Sequence, residues 1–82
     1  MGKLDTIGKR AAWAIEERRL QNHARKFEVY AEINVTTATV CNWRKGETEP
    51  RGYHLQQMAL NGYDVYWILT GEKDYGKKES TS

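Results

Sequence analysis

Glu32-Ile33-Asn34-Val35-Thr36-Thr37-Ala38-Thr39-Val40-Cys41-Asn42-Trp43-Arg44-Lys45-Gly46 is the stretch that decides the fold. It has the pattern of a short helix ending, a turn of about three to four residues, and a second short helix. Asn34 suits the left-handed conformation that closes a helix, which a tight turn between crossed helices needs. Thr36 suits an N-cap, and the helix body then runs from Thr37 to Lys45. Val40 and Trp43, with Val35 leading in, fall on one side of it. Thr37, Ala38, Cys41, Asn42 and Lys45 fall on the other. A helix with a small polar flank and a basic end is shaped to lie in the major groove of duplex DNA. There, short side chains let the backbone approach the base edges.

That placement assigns base-edge contacts to Thr37, Ala38, Cys41 and Asn42. Asparagine can bond adenine bidentately, while threonine and alanine can touch a thymine methyl. Lys45 reaches a guanine edge or a phosphate. Thr36, at the helix N-terminus, is both a cap and a candidate phosphate contact. Arg44, Thr48 and Arg51 beyond the helix exit are further backbone-gripping candidates, as are Asn22, His23, Arg25 and Lys26 upstream. The plain alternative is a solvated polar flank on an ordinary helical bundle. Trp43 reads as core, and Cys41 as a small contact residue rather than a redox group.

The rest of the chain reads as short helices. Thr6 caps a first helix in which Ile7, Ala11 and Ile15 stack at i, i+4, i+8, ending near Leu20–Gln21. Trp13 fits that stripe poorly. Asn22 suits the cap of a second helix, whose apolar set is Phe27, Val29, Tyr30 or Ala31, and Ile33. After the loop that holds the only proline, Pro50, a fourth helix over Tyr53 to Leu60 turns Leu55, Met58 and Ala59 inward. Asn61-Gly62 ends it. Val65 to Leu69 makes a short fifth helix stopped by Thr70-Gly71. Residues 72–82 have almost no apolar content and read as a flexible tail or linker.

Composition narrows the function classes. Eighty-two residues make one small domain with a marginal core. No apolar run approaches the roughly 20 residues of a membrane span. The start, Met-Gly-Lys-Leu-Asp, lacks the apolar core of a signal peptide. Cys41 is the only cysteine and has no partner at metal-ligand spacing, so a reducing, cytoplasmic setting is expected. His23 and His54 sit near no metal cluster or nucleophile, and no catalytic pair or phosphate-binding glycine loop is visible. No enzyme activity, metal or cofactor is expected. Residues 1–46 hold nine Lys/Arg against five Asp/Glu, whereas residues 47–82 hold four against six. The basic half contains the candidate reading helix, which suits a polyanion on one face.

Five short helices in this order resemble the helix-turn-helix domain of lambda-type phage repressors and Cro proteins. Ile7-Gly8-Lys9-Arg10 is similar to that family's opening helical turn. Glu32 to Gly46 resembles its turn and recognition helix, with Asn34 where the family usually has glycine. Asn42-Trp43-Arg44-Lys45-Gly46 followed by Pro50 is similar to its N-W-x-x-G…P ending. Asp64-Val65-Tyr66-Trp67-Ile68-Leu69-Thr70-Gly71 is similar to its D-V-x-(W/Y)-(L/I)-L-T-G segment. Two features depart from the pattern. Leu20 to Ile33 is about one helical turn longer, and Tyr30 stands where the family prefers a small alanine.

The resemblance implies an all-α, compact bundle of about five short helices containing a helix-turn-helix over residues 1–71. It implies a sequence-specific regulator, a phage or prophage repressor or Cro-like protein, bound to a palindromic double-stranded operator as a homodimer in the bacterial cytoplasm. No membrane and no small-molecule substrate are expected. The rival from another class is an antitoxin-like protein-interaction module on the same fold.

Overall fold

The computed structural model describes residues 4–72. All its regular structure is helical: α1 (Ile7–Gln21), α2 (Lys26–Glu32), α3 (Thr37–Lys45), α4 (Gly52–Leu60) and α5 (Val65–Thr70). No strand occurs among the described residues. Apart from Glu72, the tail expected over 72–82 lies outside them.

Local chemistry sets most helix ends. Thr6 is extended, and its hydroxyl accepts the Lys9 N–H at 3.0 Å, so α1 begins where expected. Thr36 caps α3 in the same way, accepting from the Thr39 N–H at 3.2 Å. Asp64 caps α5 by accepting from the Trp67 N–H at 3.0 Å. Gly46, with φ +82, closes α3 in the left-handed region that glycine enters without steric cost. Asn34 does the same between α2 and α3 with φ +59. Its amide also donates to the Tyr53 hydroxyl at 2.7 Å, which ties the turn to α4.

Asn22 departs from expectation. It does not start α2 but closes α1, its N–H donating to the Arg18 carbonyl at 3.0 Å. Arg19, Leu20 and Gln21 are strong helix formers and carry α1 through to Asn22. The extra length between Leu20 and Ile33 is thus taken up by α1 and by a turn in which His23 has φ +53. Arg25 occupies the N-cap of α2, and Glu28 turns back to accept from the Arg25 N–H at 2.9 Å.

Two inward assignments are also corrected. Val29, Tyr30 and Ile33 are buried, but Phe27 is 64% exposed. Phe27 and Val29 are two positions apart, about 200° around a helix, so burying one turns the other outward. Ala59 is exposed for the same reason: Met58, fully buried, sets the register of α4 and leaves its neighbour at the surface. Tyr30, 6% exposed, faces the interior at the position that resembles the family's small alanine.

The core lies along α1, which packs chiefly on α3 and α5 and less on α2. Ala11, Ile15, Val40, Trp43, Met58 and Ile68 fill it. Gly8 allows the tightest approach. A Cβ there would meet the Thr48 carbonyl oxygen at 2.5 Å and the Trp43 carbonyl oxygen at 3.0 Å. Arg10 closes the bundle's other edge by donating to three main-chain carbonyls. These are Leu4 at 2.8 Å, Ile68 at 2.8 Å and Leu69 at 3.3 Å. Trp13, unassigned by the stripe, sets its ring edge-to-face on Trp67, with centroids 5.4 Å apart.

Candidate nucleic-acid interface

The two sides of α3 separate as its periodicity requires. Val40 and Trp43 are each 1% exposed and anchor the helix on α1. Thr37, Ala38 and Lys45 are exposed on the other side, while Cys41 and Asn42 are half-buried. The Thr36 hydroxyl is taken by the Thr39 amide and also meets the Thr39 hydroxyl at 3.0 Å. The amides of Thr37 and Ala38, first in the helix, have no intrahelical acceptor and are left to solvent or an anion.

The surrounding cations divide into two groups. Lys9, Arg10, Arg18 and Arg19 are engaged within the fold. Lys9 pairs with Asp5 at 3.3 Å, Arg10 holds its carbonyls, and Arg18 approaches Glu32 at 3.8 Å and stacks over Tyr63. Arg19 pairs with Glu16 through both carboxylate oxygens. Arg25, Lys26, Arg44, Lys45 and Arg51 are all exposed. No carboxylate lies within ion-pair distance of any of them among the described residues. These five are the cations that the sequence pattern singled out.

Their arrangement is uneven. Lys26, Arg44 and Lys45 converge on one cleft of about 610 Å³ between α1 and the ends of α2 and α3. Lys26 also borders a shallower groove of about 440 Å³ that reaches Thr36 and Thr37 at the start of α3. Asn22, Arg25, Thr48 and Arg51 are exposed but line neither hollow. Glu47 and Glu49, also exposed, flank Thr48 with negative charge. Arg51 sits at the N-cap of α4, where its amide donates to His54 Nδ1 at 3.3 Å.

Glu16, on the wall of the larger cleft, registers the cations electrostatically. The hydrogen bond from Arg19 holds its carboxyl below the ordinary range, and burial opposes this. The charges of Arg19, Lys26 and Arg44 then lower it further. Lys9 and Trp13 share that wall, and the sequence pattern assigned neither of them to the site. Their i, i+4 spacing, continued by Glu16, puts them on one helix face and is the signal that could have found them.

No group of three or more His, Cys, Asp or Glu side chains is placed to hold a metal ion among the described residues. No helix there is long and apolar enough to cross a membrane. Comparison of the chain with protein-family models, with curated proteins and with solved structures found no match.

Proposed function

We propose that this protein is a sequence-specific double-stranded-DNA-binding regulator of the phage or prophage repressor and Cro type. One observation carries most weight: every arginine and lysine with neither an ion pair nor a carbonyl clamp among the described residues belongs to the set read from the sequence as DNA-contacting, and three of those five, Lys26, Arg44 and Lys45, line one cleft, while the others serve the fold. Unpaired cations around a helix with small polar outward residues suit a phosphate backbone on either side of a groove. In this reading Thr37, Ala38, Cys41, Asn42 and Lys45 meet base edges. Thr36, Arg25, Lys26, Arg44 and Arg51 grip phosphates, with Asn22 and Thr48 at the margins. One helix reads few base pairs, so operator binding uses two copies on half-sites about 34 Å apart. The protein then works in the bacterial cytoplasm by covering a promoter.

Selection from a random duplex library, followed by a salt-titrated mobility-shift assay, tests this. A palindromic site preferred over random duplex by about a thousandfold or more is expected, with affinity falling steeply as salt rises. Equal, weak binding to all duplexes would count against it. Asn42→Ala should relax discrimination at one base position by about 1–3 kcal/mol. A uniform loss over all sequences would remove Asn42 from base reading. A protein-interaction module on the same fold is the second reading, favoured by the exposure of Phe27 and Leu60, 64% and 74%. It predicts neither site preference nor a steep salt slope.

A further inference from the structure

The cleft between α1 and the ends of α2 and α3 has more chemistry than a phosphate grip needs. Its volume of about 610 Å³ falls in the range of small-molecule sites. Trp13, 44% exposed, lines the cleft and packs edge-to-face with Trp67. Leu4 and Ala12 add apolar surface beside it. Lys26, Arg44 and Lys45, drawn from two helices and with no ion-pair partner among the described residues, line the same cleft. Glu16, which also lines the cleft, pairs with Arg19 and feels the charges of Lys26 and Arg44 as well. Lys26, Arg44 and Lys45 outnumber that one carboxylate, so the lining keeps a positive excess that a bound anion relieves. An exposed aromatic ring and three cations lining one cleft match a ligand with a planar ring at one end and a compact multiple negative charge at the other.

We propose that this cleft binds a free mononucleotide, with the base against Trp13 and the phosphate held by Lys26, Arg44 and Lys45. Occupancy neutralises cations that the duplex would otherwise use, so the nucleotide competes with DNA. That second clause rests on the DNA-binding reading; binding in the cleft does not.

The test follows the Trp13 indole N–H by NMR in the full chain, without DNA, while AMP, GMP, CMP or dTMP is added. Inorganic phosphate and adenosine serve as separate arms. A saturable shift of Trp13 together with the Lys26 and Arg44 amides is expected, with at least one nucleotide binding more tightly than either half-ligand. Trp13→Ala should weaken binding by about tenfold or more, and Trp13→Tyr should restore most of it, because base stacking survives in tyrosine. Lys26→Gln combined with Arg44→Gln should abolish the preference for nucleotide over adenosine.

No shift of Trp13 up to about 10 mM nucleotide overturns the proposal, since that corresponds to less than about 3 kcal/mol of binding. So does phosphate binding as tightly as the nucleotide. A duplex that shifts Trp13 in the same way as the nucleotide makes the cleft part of the DNA surface, and also overturns it. In the mobility-shift assay, added nucleotide should weaken duplex binding by the wild-type protein and not by Trp13→Ala. Nucleotide bound with no effect on duplex affinity overturns the competition. A protein that binds no duplex at all defeats the DNA reading, while the NMR titration still decides the cleft.

Discussion

At the scale of single residues, space and solvation outweigh intrinsic preference. Gly8 lies in the first turn of α1, where alanine would ordinarily gain up to about 1 kcal/mol by helix propensity. The Thr48 carbonyl stands 2.5 Å from where the new methyl would go, and a backbone oxygen cannot swing aside as a side chain can. Gly8→Ala should therefore destabilise by about 1–3 kcal/mol in urea unfolding. A gain would show that α1 and the loop after α3 are not in contact. Tyr63 makes a second case. Its hydroxyl is buried without a hydrogen-bond partner, and burial pushes its ionisation from an ordinary value near 10 up to about 12. The Arg18 charge pulls the other way, and Glu32 adds to the rise. The folded chain prefers the neutral phenol. Stability from this preference is present in full below pH 10 and is lost as pH climbs toward 12. Tyr63→Phe should match or exceed the wild type at neutral pH to within about 1 kcal/mol, because no bond is lost. It should also flatten the alkaline decline in a pH series of melting temperatures. Glu16 acts at the other end of the scale. Its lowered carboxyl stabilises the fold above the ordinary carboxylate range and stops doing so as pH falls through its depressed value.

At the scale of elements, the turn between α2 and α3 concentrates several local decisions. Asn34 holds φ +59 and sends its amide to Tyr53. Glycine keeps the backbone conformation and loses the hydrogen bond; alanine loses both. Asn34→Ala should cost about 1–2 kcal/mol from left-handed strain alone, and Asn34→Gly less than that, read by thermal or urea melts. The reverse order would mean that the Tyr53 bond, not the backbone angle, holds this turn. Capping explains why α3 was legible from end to end. Thr36 and Gly46 act within a few residues, so the pattern carries its own boundaries. Asn22 shows where such signals become ambiguous. Asparagine caps an N-terminus and closes a C-terminus about equally well, and the helix-forming run before it decides between them. In α2, four candidate apolar positions lie within seven residues, and a short helix has no periodicity long enough to choose among them.

At the scale of the whole molecule, Arg10 joins the two ends of the described chain. One guanidinium spans the carbonyls of Leu4, Ile68 and Leu69, closing the C-terminal turn of α5 from 58 and 59 residues away. A lysine has the charge but not the planar fork. Arg10→Lys should lower stability by about 1–2 kcal/mol, with hydrogen exchange rising first at the amides of α5. Uniform acceleration across all five helices would argue that the clamp supports the core as a whole.

The division between sequence and structure follows the range of the forces. The chain by itself determined where α1 and α3 begin and end, which side of each is buried, and that Trp43 is core. Caps, turns and helical periodicity act over a handful of neighbouring residues, so they can be read in one dimension. Tertiary packing decided the register of α2, with Phe27 outward and Tyr30 inward, the pairing of Trp13 with Trp67, and the Arg10 clamp. It also decided which cations stay unpaired around α3 and that three of them meet at one cleft. Each of those facts requires side chains distant in the chain to come within a few ångströms. That proximity is produced by burying the shared core, and no local pattern encodes it.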